Sequence, residues 1–125
     1  MQKKIFIASI LNVALCIALG AFGAHYLKNI LEAEKLSAFD TGLKYHIYHS
    51  LALSFLSMHS TLLSKPIAGS FLIGVLLFSG SLYCMTLLRI TDNAIPFMVG
   101  IATPIGGIVL ILTWIALAIR AHKTL

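Results

Sequence analysis

The chain has 125 residues, 59% of them hydrophobic and 10% charged, with a formal net charge of +5 and a mean hydropathy of +0.98. Soluble domains carry about 25% charged and about 45–50% apolar residues, so this composition excludes an ordinary soluble domain. Four spanning helices of about 20 residues each would nearly exhaust the chain, which leaves no room for a separate soluble domain beside them.

The basic residues stand singly or in twos, mostly near the ends of apolar runs. That pattern fits membrane anchoring and argues against nucleic-acid binding, for which no basic run or motif is present. Cys16 and Cys84 lie in different apolar runs with no CxxC spacing, and read as small packing residues rather than as a disulfide framework.

In chain order, the first apolar run is 5–27, preceded by Lys3 and Lys4. Lysines before an apolar core also describe a secretory signal, and Ala21-Phe22-Gly23 loosely resembles a cleavage site. The run is about 20 residues long, whereas a signal core has about 7–15, so it reads as a spanning anchor. The connection 28–40 is the stretch densest in charge, with Lys28, Glu32, Glu34, Lys35 and Asp40; its partial stripe of Leu31 and Leu36 leaves an interfacial amphipathic helix and a solvated loop both open. Helix 2 is expected over 41–63 and ends at Lys65-Pro66, because the residue before proline disfavours the α region. Helix 3 is expected over 66–88, stopping at Arg89, with Thr91-Asp92-Asn93 a turn that offers N-caps to the next helix. Helix 4 is expected over 96–119. A helix starting at Pro104 would span only about 24 Å, short for a hydrocarbon core of about 30 Å, so one helix kinked at Pro104 is expected instead. The fold class is all-α: four transmembrane helices in one compact bundle and a single integral-membrane domain, 1–125.

Four spans put both termini on one side with Lys3, Lys4, Lys65, Arg120 and Lys123. The other side holds Lys28, Lys35, Lys44, Arg89 and every acidic residue. The paired basic residues at each end of the chain favour cytoplasmic termini.

Alternating the helices makes polar residues converge. Tyr45, His46 and His49 share a face of helix 2 by their i,i+3 and i,i+4 spacing. His25 ends helix 1; Ser79, Ser81 and Tyr83 lie in the outer half of helix 3; Thr103 lies near the start of helix 4. With 1.5 Å per residue, His49, Tyr83 and Thr103 fall about 10 Å below the outer interface. Polar groups in hydrocarbon need partners or a purpose, so His25, His49 and Tyr83 are expected in one layer facing the bundle interior. That layer could be a hydrogen-bonded network that fixes helix register, or a pocket or pathway for a small solute, ion or proton. A metal site from His25, His46 and His49 lacks a cysteine or carboxylate at a standard spacing, and no metal is expected. Catalysis lacks a GxSxG, an HExxH or an intramembrane carboxylate. Trp114 and Tyr26 read as interface anchors or packing residues.

Several segments, in order, resemble the YgdD-like family of small bacterial inner-membrane proteins, a family of unknown function. They are Gly20-Ala21-Phe22-Gly23-Ala24-His25, Phe39-Asp40-Thr41-Gly42, Tyr45-His46-Ile47-Tyr48-His49-Ser50-Leu51-Ala52-Leu53, Phe78-Ser79-Gly80-Ser81-Leu82-Tyr83, and Thr103-Pro104-Ile105-Gly106-Gly107 with Trp114. The resemblance implies a four-helix protein of the bacterial plasma membrane and no activity, cofactor or site residue. The expected function is a non-catalytic structural or regulatory membrane protein. Its partners are the lipid bilayer and an undefined small ligand. The alternative is a minimal transporter or channel, as a homo-oligomer, since four short helices enclose little pore alone.

Overall fold

A computed structural model describes residues 2–124, and every regular element among them is helical. Four helices follow in order: α1 Gln2–Ile30, α2 Ala33–Ser57, α3 Lys65–Ile90 and α4 Phe97–Thr124. Two of them contain a single π turn, Gly23–Leu27 in α1 and Leu76–Gly80 in α3. The close backbone approaches run along the chain, α1 to α2, α2 to α3 and α3 to α4. α1 makes no comparable approach to α3 or α4.

The helix ends differ from expectation in instructive ways. α1 and α2 are joined by Leu31 and Glu32 alone, both with extended backbone. The charged stretch expected as a connection over 28–40 is therefore mostly helix: Glu34, Lys35 and Asp40 form the opening turns of α2. Compared with the expected 41–63, α2 begins eight residues earlier and ends six earlier. Its lower end gives way to a non-helical segment, 58–64, that tucks Leu63 into the core. The Nε of Arg120 near the end of α4 donates to the carbonyl of Thr61 at 2.7 Å and holds that segment in place. Thr91-Asp92-Asn93 closes α3 instead of capping α4. Asp92 takes the left-handed conformation at φ 57°, and the Asn93 N–H reaches back to the Leu88 carbonyl at 2.9 Å. These are features of a Schellman-type helix end.

Three helices, α1, α3 and α4, are long and apolar enough to cross a membrane. α2 falls outside that set because Glu34, Lys35, Asp40 and Lys44 occupy its first half. Apolar side chains such as Leu11 and Ile17 on α1, and Ile108, Ile111 and Ile115 on α4, point outward, as they would toward lipid. The core lies towards the end carrying the termini, where Leu56, Leu63, Ile67, Phe71, Leu110 and Leu117 pack together. Glycine sets the closest contact. A Cβ on Gly106 would strike the backbone of Phe78 and Leu77, so α3 and α4 meet there as only small residues allow. α4 runs through Pro104 as one helix.

Candidate functional site: a polar network beside an open cleft

His46 is the junction of three helices. Its Nε2 lies 3.1 Å from Asn12 Oδ1 on α1, and its Nδ1 lies 3.2 Å from the Tyr83 hydroxyl on α3. The Asn12 amide nitrogen donates to the Ala8 carbonyl at 2.9 Å, which leaves its oxygen turned to His46. His46 Nε2 therefore carries the proton, and the Tyr83 hydroxyl donates to Nδ1. Tyr83 is backed in turn by the Phe39 ring, with centroids 5.5 Å apart.

His49, one turn on, is 5% exposed and has the opposite tautomer. Its Nδ1 donates to the Tyr45 carbonyl at 2.6 Å, and its Nε2 accepts from the Trp114 indole of α4 at 3.1 Å. The Phe71 ring completes this cluster, 5.8 Å from His49 and 5.1 Å from Trp114. A charged His49 would turn a second N–H toward the indole N–H, so the neutral ring is the form these partners hold.

The remaining candidates separate. Ser81 and Thr103 share a hydrogen bond of 2.6 Å between α3 and α4, and Ser81 also donates to the Phe78 carbonyl. Tyr45 contributes its carbonyl and packs its ring 4.5 Å from Phe78, centroid to centroid, while its edge is exposed. Ser79, in the π turn of α3, is buried and its hydroxyl has no partner. His25 does not join the others. Gly23 and Leu27 are the buried residues of that turn of α1, and His25, two positions from each, falls on the opposite, exposed side.

The single outer layer expected from depth is thus a set of levels. His49 stands sixteen residues into α2, not eight, about 24 Å from its start at 1.5 Å per residue. Ser81 and Thr103 remain towards the end opposite the termini, and His49 with Trp114 lies nearer the termini. Two members of the network, Asn12 and Trp114, were not among the sequence candidates. Asn12 carried a signal, being the one amide in the run 5–24, where a polar residue in mid-span is costly. Trp114 carried none, because tryptophan is common both at interfaces and in cores. Among the described residues no three His, Cys, Asp or Glu side chains converge to hold a metal ion.

Beside the network lies a cleft of about 410 Å³ between α1, α2 and α3, within the range of about 300–1,000 Å³ usual for small-molecule sites. It exists because α1 and α3 both approach α2 but not each other. Asn12 and His46 stand at one end, Ile5 and Lys65 at the other, and Ser9 and Ser50 between them.

Residues 19–107 match a family model described as "Protein of unknown function (DUF423)". A UPF0382 membrane protein of Haemophilus influenzae is 39% identical over 99% of this chain and 98% of its own length. The UPF0382 membrane protein YwdK of Bacillus subtilis is 34% identical over 99% of this chain and all of its own. The UPF0382 inner membrane protein YgdD of Escherichia coli is 32% identical over 86% of this chain and 80% of its own. No solved structure matches. With a family model across most of its length and relatives aligned almost end to end, the chain belongs to this bacterial membrane-protein family.

Proposed function

We propose that the protein is a non-catalytic integral-membrane protein of the bacterial inner membrane that crosses it four times, with both termini cytoplasmic. Its histidine network serves to fix how the helices sit on one another. α2 is the fourth crossing, with Glu34 and Lys35 at its far interface, and the chain is one membrane domain. Pro104 bends α4 so that Gly106 can lie against α3.

The observation that carries this reading is His46, whose two nitrogens bind α1 and α3 at once. Both ring nitrogens of each histidine are taken up by partners within the protein, so neither is free to serve as a base. A transporter reading finds its best support in the cleft, which runs from Lys65 to His46. Against it, Phe39 backs Tyr83 and Gly42 sits against Leu82 and Tyr83, so packed side chains stand beyond His46 towards the far end.

The test is a double-mutant cycle in detergent with His46→Ala and Asn12→Ala, read by thermal melting. Interhelical polar contacts in membranes couple by about 0.6 kcal/mol, reaching about 1.7, and a coupling in that range is expected. Strictly additive losses would show that the two side chains do not hold the helices together.

A further inference from the structure

Two serine hydroxyls beside the cleft stand outside the network. Ser9 on α1 and Ser50 on α2 are 4% and 6% exposed, and both line the cleft. Three other buried residues tie their hydroxyls to a carbonyl of their own helix, Ser57 to Ser54, Thr86 to Leu82 and Thr113 to Val109, while Ser79 in the π turn of α3 has none. Ser9 and Ser50 have no such bond and no other partner among the described residues. Their hydroxyls are not sealed in but open onto the cleft, where a hydrocarbon surrounding offers no hydrogen bond, and two donors facing one cleft call for an acceptor within it.

The cleft also has a direction. Lys65, at the first turn of α3, stands at its termini-side mouth with Ile5 of α1. It has no ion pair among the described residues, whose one salt bridge joins Lys35 and Glu32 at the far end. Lys3, Lys4 and Lys123 lie at the same end as Lys65, while all four acidic side chains lie at the other. Ser9 is four residues beyond Ile5, about 6 Å deeper at 1.5 Å per residue. The α3 wall there and beyond is hydrocarbon, formed by Leu72, Val75 and Leu76. From the mouth inward the cleft presents a cation, then hydroxyl donors, then an apolar wall.

A glycerophospholipid has the complementary order of phosphate, ester carbonyls and acyl chain. We propose that the cleft binds one anionic glycerophospholipid. Its phosphate pairs with Lys65, its ester carbonyls accept from Ser9 and Ser50, and an acyl chain lies along Leu72, Val75 and Leu76. Basic pockets between transmembrane helices on the cytoplasmic side are known to hold anionic headgroups. A zwitterionic headgroup would place its own ammonium among lysines. The site rests on the membrane-spanning reading but not on the histidine network, whose test above reads a different pair of residues.

The experiment uses the full chain, stripped of lipid in mild detergent. Melting temperature and native mass spectra are followed against added dioleoylphosphatidylglycerol, dioleoylphosphatidylcholine or inorganic phosphate. Phosphatidylglycerol is expected to raise the melting temperature and to stay bound at one copy per chain, with phosphatidylcholine weaker. Lys65→Ala should weaken phosphatidylglycerol about tenfold, the scale of one charge-assisted contact. Lys123→Ala, which removes the same charge outside the cleft, should change nothing. The double variant Ser9→Ala, Ser50→Ala should lose affinity while its lipid-free melting temperature holds or rises. Equal binding of the two lipids, equal damage from Lys123→Ala, or a full shift from phosphate alone would overturn the proposal. So would a lower lipid-free melting temperature in the serine variant, since that would mean the hydroxyls already have partners.

Discussion

His49 has no free nitrogen, and its behaviour on substitution follows from that. Removing the ring leaves the part-buried Trp114 N–H without its acceptor and opens a cavity against the buried Phe71. An unpaired buried polar group costs about 1–3 kcal/mol, so His49→Ala should lower the melting temperature in detergent clearly. Trp114→Phe keeps the packing and removes only the hydrogen bond, so its loss should be nearer the 0.6 kcal/mol typical of such contacts. An unchanged melting temperature in His49→Ala would count against the network. Sequence spacing was enough to single out His46 and His49, because both sit on one helix where neighbours are set by period. It did not find Asn12 or Trp114, whose roles depend on how α1 and α4 are rotated about their axes. It misplaced His25 for the same reason: the residue is on the right helix at a plausible height, but on the wrong side of it.

At the scale of the element, existence was legible and extent was not. Each of the four apolar runs became a helix, because runs of this length with proline and turn residues between them allow little else. The bounds of α2 were misjudged because the charged stretch 28–40 was set apart as a connection, whether interfacial helix or loop, rather than joined to the apolar run after it. Ala33, Glu34, Lys35 and Leu36 are good helix formers that extend the helix past the apolar region, and once Leu31 turns the chain nothing interrupts them. The glycines divide by their surroundings in a way composition cannot reveal. Gly106→Ala would press a methyl group into the backbone of α3, and overpacking of this kind typically costs about 1–3 kcal/mol. Gly100→Ala on the same helix meets open space and should be neutral or slightly stabilising, since alanine is favoured over glycine in a helix by about 1 kcal/mol. If the two variants melted alike, close packing at Gly106 would not be what joins α3 to α4.

For the whole molecule, the proposed four crossings make a topological prediction. A periplasmic phosphatase fused after Asn93 should be active in intact cells. The same enzyme fused after Ser64 or after Thr124 should be inactive. Activity after Ser64 would mean that α2 lies along the membrane instead of crossing it. The class of the molecule and its family were legible from composition and from ordered motifs, because both are properties of the chain as a string. The cleft was not. It arises from two helices failing to meet over a third, which is decided by the summed fit of many side chains and leaves no periodic trace.

The two π turns have a consequence for phase. A π turn carries one residue more than the α-helical turn it replaces, and a residue is worth about 100° of rotation. The turn at Leu76–Gly80 lies between Phe71, which packs on His49, and Tyr83, which bonds His46. It therefore sets the angular offset between the two points where α3 meets the histidines. Deleting Ser79, whose hydroxyl is already unsatisfied, would let α3 wind regularly and still leave Tyr83 in phase with Phe71, whereas winding all the present residues as regular α-helix would swing Tyr83 about 100° away from His46. π turns are frequent at functional sites; this one acts as a phase adjuster, matching a rigid helix to a neighbour whose spacing it would otherwise miss.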